Sequence, residues 1–308
     1  MNQLTVLIRR EFWENRSIFL VLPAVITGFF LFLLLLGAVA SPSDAITLKV
    51  DIQSDEEVEF LDDLLVSGHL YQYALLQLDA RPMAERVSYI SATMQSLSAP
   101  LLFTLWFVIL FYLLGSLYDD RRDRSILFWK SLPVSDAITV FSKLLTALVV
   151  VPLVYLVGVM LLQLSALIFV SMSAFGTDIS AVDTVWRPAG VFITWLRSIG
   201  LLFFYALWAL PFFGWLIAVS ACAKSAPLAW AFGIPLGIRL LEAIFTDQSR
   251  VGDWMHDHII PISFLDQHRP TAENAFSYLL SLQMLSALVV GGAFIYLAIW
   301  ARGKADEI

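Results

Sequence analysis

Long apolar runs separated by short polar stretches recur along this chain of 308 residues, and the spacing predicts helices from end to end. Near the start, Leu4, Leu7, Ile8 and Phe12 repeat at helical intervals, opposed by Arg9, Arg10 and Glu14. The pattern predicts an amphipathic helix over 1–16 lying along a membrane edge, with Phe12 and Trp13 as anchors. Six apolar segments follow, at 17–40, 98–117, 137–170, 198–221, 228–245 and 275–300. Each has about the length a membrane-spanning helix needs, roughly 20 residues. The third exceeds it, so its ends should protrude or tilt. The expected fold is an all-α membrane protein with six transmembrane helices.

The connections differ in kind. Segment 41–97 is strongly acidic, yet Val58, Leu61, Leu64 and Leu65, and later Val87, Ile90, Met94 and Leu97, keep a helical period. It predicts a helical insert between the first two spans. The connection 118–136 places Arg121, Arg122, Arg124 and Lys130 around Ile126, Leu127, Phe128, Trp129 and Leu132. A bulky apolar stripe between charges suits a short surface helix offering a docking face. Pro133 stops it, and Ser135 is placed to cap the next helix. The stretches 171–197 and 246–274 are polar connections, the second reading as an extracytoplasmic or re-entrant segment. Ala38-Val39-Ala40 has the look of a signal cleavage site. The apolar run before it is longer than the usual ~7–15 residues, and Glu11 and Glu14 precede it, so the first segment is expected to stay as a span.

Composition agrees, with 59% apolar and 15% charged residues, well below the roughly 25% charged of a soluble domain. The formal charge of −7 hides an asymmetry. Basic residues concentrate in 1–16, 118–143, 222–227 and 301–308, and acids in 41–97. Basic loops stay cytoplasmic, so both termini and the 118–136 connection should lie inside and the acidic insert outside. The single cysteine, Cys222, excludes an internal disulfide framework.

Several chemistries have no residues to carry them. The chain contains no GxxxxGK[ST], HExxH, GxSxG or paired CxxC pattern, so no P-loop, metalloprotease or common hydrolase site is expected. His256, His258 and His268 lie among Asp253, Asp257 and Asp266, but at no familiar ligand spacing; they read as polar surface, with ligation of zinc or copper the other reading. No nucleic-acid partner is expected. Arg239 and Glu242 are candidates for a translocation path, because they share a helix face inside the fifth span, where charge is costly. An early end to that span, leaving both at the interface, is the other reading. Gly233 and Gly237, around Pro235, form a small-residue face that permits close helix contact.

Asp119–Lys143, with its acidic-Arg-Arg start, short apolar helix, SLPVS turn and following lysine, resembles ABC-2-type transporter permeases. The N-terminal LIRREFWENR, with Arg9, Arg10, Phe12 and Trp13, resembles the interfacial elbow helix of that family. The chain departs from the family pattern at Asp123-Arg124-Ser125, where a Gly-Thr-type step is more usual, and in its long acidic first loop. The resemblance implies a multi-pass permease subunit of the bacterial inner membrane, embedded in the lipid bilayer and pairing with a second permease subunit. It also implies a separate ATPase with its own P-loop, binding the ATP and Mg, so the chain itself is not an enzyme and holds no cofactor. Arg121, Arg122, Asp123, Arg124, Phe128, Trp129 and Lys130 would form the coupling helix that meets this ATPase. Apolar spans suggest export of a hydrophobic or amphipathic substrate. On the residues alone, a secondary transporter or channel and, more remotely, an intramembrane enzyme stay open; the first would show embedded carboxylates or histidines in several spans.

Overall fold

The computed structural model describes residues 3–39, 70–126, 131, 133–245, 250–259 and 275–304. Expectations placed on 40–69, on Phe128, Trp129 and Lys130, and on His268 fall outside them. The described residues are helical, with no strand among them. Six helical segments are long and apolar enough to cross a membrane: Ser17–Ala38, Met83–Arg122, Asp136–Met172, Val182–Trp208, Pro227–Phe245 and Leu282–Lys304. The chain is thus a multi-pass, all-α membrane protein.

In chain order the helices are α1 (Gln3–Glu14), α2 (Leu22–Val39), α3 (Leu70–Asp79), α4 (Met83–Ser116) and α5 (Tyr118–Arg122). Then come α6 (Asp136–Leu145), α7 (Val151–Met172), α8 (Arg187–Ala189), α9 (Val191–Trp208) and α10 (Leu210–Cys222). The last are α11 (Pro227–Phe245), α12 (Arg250–Ile259), α13 (Ala275–Leu279) and α14 (Leu282–Lys304). They fall into two compact units: Met1–Phe19, Leu105–Leu153 and Ser198–Ile308 form one, and Leu20–Thr104 and Val154–Arg197 the other.

Prolines set much of the local geometry. Among the described residues three widened π-helical turns occur, at Ser17–Val21, Thr146–Val150 and Val182–Trp186. Each ends two residues before a proline, namely Pro23, Pro152 and Pro188. A proline ring collides with the carbonyl four residues back and donates no N–H; in each case that carbonyl belongs to the widened turn, where the ring is accommodated without ending the helix. Pro211 acts differently. It sits in the first turn of α10, where its missing N–H costs least, and the helix restarts after Ala209. The segment expected as one span over 198–221 is therefore two helices, α9 and α10, and α9 is preceded by helical turns from Val182 onward.

Helix α4 also differs from expectation, because the second arm of the insert and the second span are one continuous helix. The polar residues of its first half do not end it. Ser91, Thr93 and Ser96 return their hydroxyls to the carbonyls of Ser88, Tyr89 and Ala92 within the same helix.

In the second unit the core gathers Leu75, Leu78, Ile90, Met94, Leu167, Val185 and Ala189. Beside it Gln163 is buried and fully engaged. Its Nε2 donates to the Met94 carbonyl (3.2 Å) and to Ser98 Oγ (3.0 Å), while its Oε1 accepts from Trp195 Nε1 (2.9 Å). In the first unit the tightest packing joins α10 to α14, because a Cβ added at Gly214 would lie 2.8 Å from the Gly291 carbonyl oxygen. Gly233 and Gly237, marked by the sequence as a close-contact face, have nothing within 4 Å of an added Cβ.

Candidate functional site: a buried ion cluster beside the basic connection

Four side chains from four helices of the first unit converge where the basic connection leaves and re-enters the helices. Helix α1 buries Leu7 and, one turn later, Glu11, so the acid sits in the middle of the apolar face. Lys143, on the buried face of α6, places Nζ 3.0 Å from Glu11 Oε1 and 3.4 Å from Asp120 Oδ2 of α5. Tyr112 of α4 donates its hydroxyl to Glu11 Oε2 at 2.8 Å. Lys143 is 3% exposed and Glu11 2%, so neither charge is relieved by bulk solvent. Both carboxylate oxygens of Glu11 are satisfied, and one ammonium serves two acids. Phe19 closes the apolar side, with its ring 5.0 Å from that of Tyr112.

A second set of contacts extends the network. Arg121, buried, donates through Nη2 to the carbonyls of Ser220 (2.9 Å) and Ala223 (2.6 Å) at the end of α10. Cationic groups suit that position, where the last helical carbonyls lack amide partners. Ser220 Oγ accepts from the backbone amides of Leu117 and Tyr118, each at 3.0 Å, which pins the bend between α4 and α5. Arg302 of α14, also buried, pairs with Asp136 at 3.2 Å, and Asp136 opens α6 behind a Ser135 cap that accepts from the Ile138 amide. The cap is the one the sequence predicts. Each end of the connection is thus tied to helices distant in the chain.

The residues marked in the sequence separate into two groups. Arg121, expected on an outward docking face, faces inward because α10 offers it uncapped carbonyls. Arg122 and Asp123 are exposed and pair with each other (3.2 Å), Arg122 also reaching Asp119 at 3.4 Å. Arg124 is exposed and holds a φ of 59°, in the left-handed region, where α5 ends. On α1, Arg9 is exposed, Arg10 pairs with Glu14 at 3.1 Å, and Phe12 meets Trp13 edge-on at 6.0 Å. Lys143 was visible in the sequence as a member of the basic set, and Glu11 as an acid near the N-terminus. Their pairing was not, although an acid within an apolar stripe is the signal that points to it.

Arg239 and Glu242 lie elsewhere, at the far end of α11. Glu242 does not pair with its helix neighbour; its oxygens accept the amides of Val251 and Gly252 at 2.8 Å each, capping α12. The other end of α12 is held by α9, where Trp208 Nε1 donates to the Asp257 carbonyl (2.9 Å) and Tyr205 to that of Ile259 (3.3 Å). His258 is buried, stacked on Trp208 with centroids 4.9 Å apart, and its Nδ1 lies 2.7 Å from the Trp254 carbonyl. Among the described residues no three His, Cys, Asp or Glu side chains gather as a metal site would require.

No family model, curated protein or solved structure matches this chain.

Proposed function

We propose that this chain is the membrane-spanning permease subunit of an ATP-driven transporter of the ABC-2 type. In this reading it pairs with a second permease subunit in a bacterial inner membrane, with both termini and the basic connection cytoplasmic. A separate ATPase docks on 118–136 and on α1, and hydrolysis there moves a hydrophobic or amphipathic substrate outward. The observation that carries the reading is the buried Glu11–Lys143–Asp120 cluster. A loop that transmits force must be tied to the spans on both sides of it and to the helix beside it. Lys143 links the helix after the loop to α1 and to α5, which opens the loop, through contacts that cannot slip without exposing buried charge. Arg121 and Arg302 add ties to α10 and α14.

The test is reconstitution with a P-loop ATPase encoded beside this chain. Phe128→Ala and Trp129→Ala should each weaken association by about 2 kcal/mol, roughly thirtyfold, since large aromatics dominate interface energies. Membrane insertion should be unaffected. Normal co-purification of both variants, with hydrolysis still coupled to transport, would remove the loop from this role.

A further inference from the structure

Arg239 is an exposed cation within a helix long and apolar enough to cross a membrane. It belongs to α11, PLAWAFGIPLGIRLLEAIF, a helix of 19 residues with no other basic residue. At about 1.5 Å per residue α11 is about 28 Å long, close to the roughly 30 Å of a bilayer's hydrocarbon core. Arg239 lies six positions before Phe245, so its Cα sits about 9 Å short of that end. Its side chain is exposed, and Leu236 (59%) and Leu240 (56%) beside it are exposed as well.

The acid that could neutralise it is engaged elsewhere. Glu242, one turn on, is turned toward α12 and accepts the amides of Val251 and Gly252. Gly252 makes this possible, because a Cβ there would lie 3.2 Å from Arg239 Cγ and 3.4 Å from Glu242 Oε2. The first turn of α12 therefore rests on the stem of Arg239 and leaves its guanidinium to project past. Among the described residues no hydrogen bond or ion pair engages Arg239.

A guanidinium on an apolar surface needs a counter-charge that the surroundings supply. Its stem, about 6 Å long, carries the fork to within about 3 Å of the end of α11, and snorkelling with local thinning of the bilayer closes the remaining distance to a lipid phosphate. Its planar array of donors matches two phosphate oxygens. We propose that Arg239 is a phosphate site on the membrane-facing flank of α11, occupied by the headgroup of a phospholipid whose acyl chains lie along Leu236 and Leu240. The site does not depend on the transport reading.

The experiment uses the full chain in a neutral maltoside detergent, with lipid retention read by native mass spectrometry. The probes are phosphatidylglycerol, a galactolipid with the same acyl chains and no phosphate, and inorganic phosphate as competitor. Wild type should retain phosphatidylglycerol roughly tenfold better than Arg239→Gln, the loss expected when a bidentate charged contact is removed. Arg239→Lys, which keeps the charge without the fork, should fall between them. Arg197→Gln, which removes a different exposed arginine, should match wild type, and the galactolipid should be held equally by every variant. Equal retention of phosphatidylglycerol by wild type and both Arg239 variants would overturn the site. An equal loss of the galactolipid would show that the surface, and not phosphate, is recognised. Displacement by millimolar inorganic phosphate would make the ligand a free anion and refute the lipid.

Discussion

Lys143 shows what one buried residue can hold. Its ammonium satisfies Glu11 and Asp120 together, and Glu11 also takes the Tyr112 hydroxyl. Removing the lysine would leave buried Glu11 and half-buried Asp120 without a counter-ion, whereas removing lysine and glutamate together would strand only Asp120 and the Tyr112 hydroxyl. Lys143→Met is therefore expected to cost about 3–5 kcal/mol, and Glu11→Leu combined with Lys143→Met distinctly less than the two single changes added. Thermal unfolding of the four proteins in detergent closes the cycle; purely additive losses would mean the pair is not coupled. At this scale the sequence was partly legible. It marked Lys143 and the arginines as basic residues of one connection, because charge between apolar runs is a local signal. It could not separate Arg121, which turns inward to cap α10, from Arg122, which stays outside. That division depends on where the end of α10 falls, a contact between residues about a hundred positions apart in the chain.

Among the elements, the long uninterrupted runs were the readable part, since a helical period over 20 residues leaves little alternative. The boundaries were less so. The proline at 211 was present in the run 198–221, but a proline can widen a helix, as Pro23, Pro152 and Pro188 do, or restart one. Which occurs depends on what receives the freed carbonyls. Glycine was misleading in the same way. Gly233 and Gly237 have the spacing of a contact face and yet face open space, while Gly214 and Gly291, each four residues from a buried alanine (Ala218 and Ala287), bring two backbones together. Gly214→Ala should cost about 1–3 kcal/mol, because its new methyl meets a carbonyl oxygen at 2.8 Å and a backbone cannot step aside as a side-chain tip can. Gly233→Ala should be neutral or stabilising by up to about 1 kcal/mol, the helix-propensity gain alone. Paired melting curves decide this, and an equal loss at both positions would refute the packing argument.

For the whole molecule, the number of spans followed from apolar length, but the grouping of helices into two units did not. The units interleave along the chain, taking α1, the middle and the last third into one and the stretches between into the other. Interleaving has a consequence for how the protein is made. Glu11 leaves the ribosome long before Tyr112, and Lys143 comes later still. Until Lys143 emerges, α1 carries an acid in its apolar face with no cation to neutralise it, so the N-terminal helix cannot settle until the third span has begun. The ion cluster then acts as a completion signal, closing only in chains that have passed Lys143. Chains truncated after residue 126 should be cleared by membrane proteases, and Glu11→Gln should prolong their lifetime in a pulse-chase, while Glu14→Gln, which alters an exposed acid on the same helix, should not. Equal lifetimes for the two truncated variants would mean that the waiting acid is not what the quality-control machinery reads. The order in which the charges emerge would then carry no information about assembly, and the cluster would matter only in the finished protein.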